Sequence, residues 1–238
     1  SVVGARRLIA SIHRPFSNLL PFMVPATVPQ NLDFYLRNSS LPITMNSWKY
    51  PHAGATKTDL KTGLSLTGYR ASNPRKVISC AVSHLRCWEL ISSLGGGVVF
   101  EHDAIVNRKI NPFLLDMHHH GIVGLNDPRG ATRRSNVYHN AMIDHQAEEQ
   151  VLPKYESDGI KYVIKSAPWV DDRTVPQGLA GNSAYYISNT MAMKMLNLVK
   201  EHGLWPNDAL MCRQLVPQLK QVYPYMTGLQ GIESTTTG

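Results

Sequence analysis

The sequence predicts an α/β fold with an open sheet, built as a single domain over residues 1–238. The chain is 238 residues long and 43% hydrophobic, enough for one sizeable packed core. The apolar run Val98–Phe100 is typical of a buried strand, and it ends abruptly in Glu101-His102-Asp103. Open α/β sheets place ligand chemistry in this way, with a buried parallel strand delivering carboxylates at its C-terminal end.

The first seventy or so positions predict few regular elements. Leu8–Ile12 is a short apolar run and predicts the first strand of the sheet. Prolines at 15, 21, 25 and 29 exclude long helices in the stretch that follows. A helix is predicted over Asn31–Asn38 and a second strand over Leu41–Trp48. The segment Tyr50–Tyr69 has no clean periodicity, so we expect a long surface loop that carries substrate contacts.

A long amphipathic helix is predicted to begin at Asn73-Pro74, where an N-cap residue precedes a proline at the first helical position. Apolar residues then recur every three to four positions and form one face: Ile78, Ala81, Val82, Leu85, Trp88 and Ile91. Gly95–Gly97 is predicted to close the helix with a left-handed cap. A phosphate-binding role for these glycines is disfavoured, because they precede a strand whereas phosphate-binding loops follow one.

The remaining elements are assigned from apolar runs and helix boundaries. Strands are predicted at Gly121–Leu125, Ile160–Ile164 and Ala184–Ile187. Helices are predicted at Pro112–His120, at Asp144–Lys154, from Ser188 or Asn189 to Gly203, and from Pro206 to Pro217. His118–His120 predicts an exposed helix end rather than a metal site, because adjacent histidines point in different directions on a helix.

The charge balance is basic, with 24 Lys and Arg against 17 Asp and Glu and a formal net charge of +7. This balance favours an anionic partner such as a nucleotide, a phosphorylated lipid or a nucleic acid. Arg129, Arg133 and Arg134 form the densest basic cluster. They are interpreted either as anion contacts or as solvated loop charge.

The three cysteines, Cys80, Cys87 and Cys212, are odd in number and lack paired spacing. They predict free thiols in a reducing compartment rather than a disulfide framework or a zinc site. No apolar run approaches the ~20 residues of a membrane span, and Ser1–Ala10 shows no signal-peptide pattern. We therefore expect no transmembrane segment and a cytoplasmic location.

Glu101 and Asp103 offer two carboxylates, two positions apart, at the end of the predicted strand. Such a pair suits a hard divalent cation, Mn²⁺ or Mg²⁺, which would in turn hold a diphosphate. The alternative is a strand that ends in solvated charge, because an acid-x-acid pattern is also common by chance.

Three blocks follow one another along the chain. Ser79–Glu89 reads Ser-Cys-Ala-Val-Ser-His-Leu-Arg-Cys-Trp-Glu, and Val99–Ala104 reads Val-Phe-Glu-His-Asp-Ala. Gly181–Ser188 reads Gly-Asn-Ser-Ala-Tyr-Tyr-Ile-Ser and is followed by Pro206-Asn207-Asp208. Together they resemble the Cys-x-x-Ser-His-x-x-x-Trp, Phe-Glu-Asp-Asp-Val, Gly-x-x-Ala/Gly-Tyr-x-Ile-Ser and Pro-x-Asp motifs of glycosyltransferase family 25, the lipooligosaccharide galactosyltransferase-like enzymes.

The resemblance implies a GT-A-type fold, with a Rossmann-like mixed sheet flanked by helices. It also implies transfer of a hexose from a nucleoside-diphosphate sugar, a UDP-sugar, to a hydroxyl acceptor with inversion. Asp103 and Glu101 would hold Mn²⁺ or Mg²⁺ to neutralise charge on the departing diphosphate. Asp208 is implied as the general base, kept ionised by the dipole at a helix N-terminus. Its alternative role is that of a helix N-cap.

The donor site implied by the resemblance is completed by Ser83, His84 and Asn182, beside Glu101 and Asp103. His84 lies next to the apolar helix face, so its alternative role is that of a buried histidine that supports the site without touching substrate. His102 stands where the family has its middle acid, which leaves the metal preference open.

Neither the acceptor nor catalysis itself is fixed by a motif. The family resemblance suits a glycan or lipid-linked acceptor, and the basic charge would also suit a sugar transferase that acts on hydroxylated bases in DNA. The altered Glu-His-Asp motif would also suit a non-catalytic module that binds nucleotide sugars or glycans.

Overall fold

The computed structural model describes residues 2–13, 21–111, 121–130, 134–144, 154–157 and 159–231. The helices are α1 (Val2–His13), α2 (Leu32–Arg37), α3 (Pro74–Ser92), α4 (Ser135–Ile143), α5 (Asn189–His202) and α6 (Asn207–Leu210), with a 3-10 helix at Met45–Ser47. The strands are β1 (Thr56–Thr58), β2 (Ser65–Thr67), β3 (Gly96–Phe100), β4 (Ala104–Val106), β5 (Ile122–Gly124), β6 (Lys154–Ser157), β7 (Ile160–Ser166), β8 (Ala184–Ser188), β9 (Leu219–Tyr223) and β10 (Thr227–Leu229).

A six-stranded mixed sheet, in the order β3-β8-β5-β9-β7-β6, forms the centre of the fold. Its β5 and β9 are parallel, whereas its other described pairs are antiparallel. Alternate residues of β5 and β8 enter two separate cores. Ile122 and Tyr185 join the core under α3 and α5, and Val123 and Tyr186 join the core on the opposite face, which includes residues of α1. The predicted α/β class, a mixed sheet flanked by helices, is confirmed.

The predicted helix beginning at Asn73-Pro74 is confirmed as α3. The Asn73 side chain accepts the N–H of Arg75 at 3.0 Å, and the predicted apolar face is buried. The helix ends at Ser92, so the predicted glycine cap is wrong. The glycines instead permit close approach: a Cβ at Gly97 would lie 3.0 Å from Ile91, and one at Gly96 would lie 2.7 Å from the Tyr186 hydroxyl.

Two predicted strands near the N-terminus are wrong. Leu8 and Ile12 lie one turn apart on the buried face of α1, so a short apolar run belongs to a helix rather than a strand. Leu41–Trp48 contains the 3-10 helix, which Thr44 caps by accepting the N–H of Asn46. The segment Tyr50–Tyr69 is not a loop throughout, since β1 and β2 pair within it.

The later elements are confirmed in part. The strands predicted at Gly121–Leu125, Ile160–Ile164 and Ala184–Ile187 correspond to β5, β7 and β8, and Ser188 caps α5 by accepting the N–H of Met191. The helix predicted from Pro206 to Pro217 is only the one-turn α6. The predicted Pro112–His120 helix and positions 145–153 lie outside the described residues, and Lys154 already belongs to β6.

One correction bears directly on the site. The strand that leads into Glu101 is not a buried parallel strand but an edge strand, β3, that pairs antiparallel with β8. Because the two strands run in opposite directions, the residues that follow β3 meet those that precede β8. In the described part of the chain no helix is both long and apolar enough to span a membrane.

Candidate active site

A large cleft, with a volume of ≈ 1320 Å³, opens where β3 ends and β8 begins. The N-terminal half of α3 and the first turn of α6 form its other polar walls. It brings together all six site residues predicted from the sequence: Ser83, His84, Glu101, Asp103, Asn182 and Asp208. These residues come from four separate segments of the chain, so their convergence is a property of the fold.

His84 connects the core of the protein to the acidic end of β3. Its Nδ1 lies 2.9 Å from the hydroxyl of Tyr185, and its Nε2 lies 3.0 Å from Oε1 of Glu101. The same Tyr185 hydroxyl accepts the indole N–H of Trp88 at 2.9 Å. Both ring nitrogens of His84 are therefore engaged and its side chain is buried. His84 therefore holds Glu101 in position, and it also lines the cleft.

Glu101 and Asp103 are held in place through their backbone. The N–H of Glu101 donates to the carbonyl of Ser183 at 2.7 Å, and the N–H of Gln230 donates to the carbonyl of Asp103 at 2.8 Å. The Gln230 amide also donates to the carbonyl of Ala104 at 2.7 Å. The turn after β3 is thus fixed from two sides.

The Asp103 carboxylate carries a buried oxygen without a partner in the described part of the chain. Its Oδ1 is buried and has no hydrogen-bond partner among the described residues. Burial raises the pKa of Asp103 above its usual value, and the nearby Glu101 carboxylate raises it further. A divalent cation between these two carboxylates would supply the missing partner and relieve their repulsion, so the residues fit the predicted Mn²⁺ or Mg²⁺.

Asp208 lies in the single turn of α6. Its Oδ1 accepts the hydroxyl hydrogen of Tyr69 at 2.9 Å and the backbone N–H of Ala209 at 3.0 Å. Burial raises the pKa of Asp208 above its usual value, and these two hydrogen bonds only partly oppose it. The expected effect of the helix dipole, which would lower the pKa, is outweighed. Pro206 occupies the N-cap position, so Asp208 is not the N-cap residue.

The remaining predicted residues differ in how free they are to bind a ligand. Both polar atoms of the Asn182 amide are buried and lack a partner within the described ranges, as does Oγ of the adjacent Ser183. The hydroxyl of Ser83, in contrast, accepts the N–H of Thr27 at 2.9 Å and donates to the carbonyl of Ser79 at 3.0 Å. The Asn182 amide thus has unused hydrogen-bonding capacity beside the cleft, whereas Ser83 ties α3 to the segment at 21–29.

The comparison with known families agrees with this geometry. A family model described as "Glycosyltransferase family 25 (LPS biosynthesis protein)" matches residues 56–211, more than half of the chain. The chain belongs to glycosyltransferase family 25. No curated protein is significantly similar to it in sequence. All six predicted site residues of this glycosyltransferase fall within the matched range, whereas α1 and the segment at 21–29 fall outside it.

Sequence reasoning missed three residues of the glycosyltransferase site. Tyr185 holds His84, Trp88 donates to the same Tyr185 hydroxyl, and Tyr69 holds Asp208. Tyr185 and Trp88 lie within the motif blocks, so the blocks contained the signal although not the contact between them. Tyr69 ends the segment in which substrate contacts were expected, and it lines the cleft.

The basic cluster offers little to an anionic partner. Arg129 forms an ion pair with Asp127, with 2.6 Å between Nη2 and Oδ2, and Arg134 forms an ion pair with Asp171. Arg133 lies outside the described residues. Since the two described arginines already have carboxylate partners, this cluster does not support binding to DNA.

Proposed function

We propose that this glycosyltransferase transfers a hexose from a nucleoside-diphosphate sugar, with UDP as the nucleotide, to a hydroxyl of a glycan or lipid-linked acceptor. One observation carries the proposal. A single cleft contains a buried carboxylate without a partner, Asp103, an unpartnered amide, Asn182, and a second carboxylate, Asp208, held by a tyrosine. Asp103 would bind the diphosphate through a cation, Asn182 would bind the sugar, and Asp208 would accept the proton of the acceptor hydroxyl.

Asn182 and Ser183 are the residues we assign to the donor. Their buried polar atoms would be costly to leave unbonded, by about 1–3 kcal/mol each. Sugar and ribose hydroxyls both donate and accept hydrogen bonds, so a bound donor would remove this cost. Oγ of Ser79 is also buried and without a partner in the described part of the chain, so we assign it to the donor as well.

Glu101 and Asp103 would hold the Mn²⁺ or Mg²⁺ expected from the resemblance. When bound, the cation neutralises charge that develops on the departing diphosphate. His84 keeps Oε1 of Glu101 in position through a 3.0 Å contact, and Asp103 supplies the buried oxygen Oδ1. His102 stands between them with a buried Nε2 that has no partner among the described residues, so it is available as a further nitrogen ligand.

Asp208 is the residue we propose as the general base. It would accept the proton from the acceptor hydroxyl as that oxygen attacks the anomeric carbon of the donor. Tyr69 and Ala209 both donate to Oδ1, so we assign proton acceptance to Oδ2. The raised pKa makes the carboxylate a stronger base than an ordinary aspartate. A single base of this kind is what an inverting transfer requires.

The acceptor proposal rests on the apolar side of the cleft. Beyond the carboxylates the cleft is lined by Ile9 of α1, by Phe22 and Met23, and by Leu94 after α3, and the last three are exposed. Exposed apolar surface in a cleft favours a ligand with an apolar part. An acceptor with a lipid anchor would place its hydroxyl at the carboxylates and its apolar part against these apolar side chains. Such an acceptor is in line with the family's description as LPS biosynthesis proteins.

Donor binding is tested by melting temperature with UDP- and GDP-sugars, each with and without Mn²⁺. We expect a UDP-hexose to raise the melting temperature, with a larger rise when Mn²⁺ is present. Asp103→Asn should lose the Mn²⁺-dependent part while retaining the fold. If no nucleotide sugar raises the melting temperature under either condition, the proposed donor is wrong. Donor binding without transfer to any acceptor would instead indicate the non-catalytic module.

A further inference from the structure

A second set of ligand atoms lies on the wall of the same cleft. Cys80, His84 and Glu101 each offer one ligand atom, and these three atoms lie within 4.8 Å of one another. Cys80 and His84 are four residues apart on α3, so they project from the same helix face. Glu101 approaches them from the end of β3. The arrangement combines sulfur, nitrogen and oxygen in a space that one ion would fill.

We propose that Cys80, His84 and Glu101 form a site for Zn²⁺, which shares only Glu101 with the pair Glu101 and Asp103 assigned to the hard cation. Thiolate, imidazole and carboxylate are the ligands zinc takes in proteins, and three protein ligands with one open position are typical of an accessible zinc site. Mn²⁺ and Mg²⁺ prefer oxygen ligands, so the Cys80 thiol selects against them.

The surroundings of the three residues support a zinc ion. When His84 binds zinc through Nε2, the imidazole proton must be on Nδ1. The Tyr185 oxygen, 2.9 Å away, is positioned to accept a hydrogen bond from this Nδ1–H. That oxygen has two lone pairs, so it accepts the Trp88 indole N–H at the same time. The carboxylates of Asp103 and Asp208 line the same cleft and add negative charge that attracts a cation.

The Cys80 thiol is held only weakly by its neighbours. Cys80 Sγ has only a weak contact, 3.7 Å from Oδ1 of Asn207. Burial raises the pKa of Cys80, and Glu101, Asp208 and Asp103 raise it further, so the metal-free thiol keeps its proton. On binding, a sulfur–zinc bond forms and that proton leaves to solvent.

Zinc at this site would inhibit sugar transfer, and this part of the inference rests on the proposed function. Glu101 is shared by the two ligand sets, so a zinc ion that draws its carboxylate toward Cys80 would weaken the pair Glu101 and Asp103 as a site for the hard cation. Zinc would also separate Glu101 from His84, which otherwise orients it at 3.0 Å. A bound zinc ion therefore removes one ligand of the hard cation and blocks the wall of the donor site.

The binding test uses Co²⁺ as a spectroscopic probe, because cobalt bound to a thiolate absorbs through sulfur-to-metal charge transfer. We expect this absorption in the wild-type protein, its loss on addition of Zn²⁺, and its persistence in excess Mg²⁺. Cys80→Ser should abolish it. Cys87→Ser is the matched control, since Cys87 is a free thiol of the same helix that also lines the cleft. Absence of the band in the wild type, or its survival in Cys80→Ser, overturns the site.

A second measurement needs no variant. Zn²⁺ should slow the alkylation of Cys80 and leave that of Cys87 unchanged, as mapped by mass spectrometry. Equal protection of both thiols, or of neither, would contradict the assignment. This test uses the wild-type protein, so it remains valid even if Cys80→Ser fails to fold.

The inhibition test measures sugar transfer in saturating Mg²⁺ with increasing Zn²⁺. Loss of a group that supports a metal ligand lowers metal affinity by about 10–100-fold. Loss of the direct ligand in Cys80→Ser should therefore raise the Zn²⁺ concentration needed for inhibition by more than about tenfold. Cys87→Ser should be inhibited like the wild type. Zinc that binds without inhibiting refutes the inhibitory role. If no donor is turned over, the proposed function fails while the cobalt spectrum still decides the zinc site.

Discussion

Removal of one hydroxyl, in Tyr185→Phe, tests the link between the core and the site. That hydroxyl is the shared partner of His84 Nδ1 and Trp88 Nε1, each 2.9 Å away, and all three side chains are buried. The substitution leaves two buried nitrogens without a partner. At about 1–3 kcal/mol for each, the free energy of unfolding should fall by about 2–6 kcal/mol.

The assay is urea unfolding, with the slope against urea checked for equality between variants. Tyr138→Phe is the matched control, because Tyr138 is buried to almost the same extent as Tyr185. Its hydroxyl, however, makes only a long contact within the described part of the chain, 3.5 Å to Oε1 of Gln221. We expect this control to lose less than about 1 kcal/mol. Equal losses in the two variants would refute the idea that the Tyr185 hydroxyl organises the site.

The same variant tests whether His84 positions Glu101. Without its anchor at Nδ1, the His84 ring is free to turn, and the 3.0 Å contact with Glu101 weakens. The Mn²⁺-dependent rise in melting temperature with a UDP-sugar should therefore shrink. A stability loss with unchanged donor binding would show that His84 is structural only.

Three further predictions concern Asp208, Asp103 and His102. Burial raises the pKa of Asp208 above its usual 3.8, so ionisation of this carboxyl opposes folding, and the stability present below about pH 4 is lost as the pH rises through the folded-state pKa. Asp208→Asn should therefore melt at a higher temperature than the wild type at neutral pH, and this gain should vanish in acid. A difference in melting temperature that does not depend on pH would contradict this. Asp103→Asn should abolish Mn²⁺-dependent turnover with the fold intact, and chelation of the metal should do the same to the wild type; unchanged Mn²⁺ dependence in the variant removes Asp103 from the metal site. His102→Asp should keep activity and alter the metal preference, whereas a folded but inactive variant would give His102 a role of its own.

Local sequence signals were sufficient for the elements that carry strong periodicity or caps. The helix from Asn73-Pro74 and the capping role of Ser188 follow from local chemistry, and both are confirmed. The strand predicted at Leu8–Ile12 was wrong because an apolar run this short suits a strand and a helix equally, and only packing against the sheet decides between them. β9 and β10 were missed because their strand identity depends on partners far away in sequence.

The candidate site likewise has features that local motifs predict and features that depend on the whole fold. The motif blocks predicted which side chains matter, since all six line one cleft. They could not predict that Glu101 lies at the end of an antiparallel edge strand, because strand neighbours are set by the whole topology. The contact between Tyr69 and Asp208 joins residues 139 positions apart, so no local pattern indicates it. The raised pKa of Asp208 likewise reflects burial, which outweighs the dipole of a one-turn helix.

The measurement that tests the central claim most directly is acceptor-dependent release of UDP from a UDP-hexose, made with a lipid-linked glycan and compared across three proteins. The wild type should release UDP only when the acceptor is present. Asp208→Asn should bind the donor normally and be slower by about 10²–10⁴, the usual range for loss of a general base. Asp127→Asn is the control, because Asp127 pairs with Arg129 instead and is not among the residues that line the cleft; it should match the wild type. Transfer at the wild-type rate by Asp208→Asn, or no acceptor-dependent release by the wild type, would contradict the account.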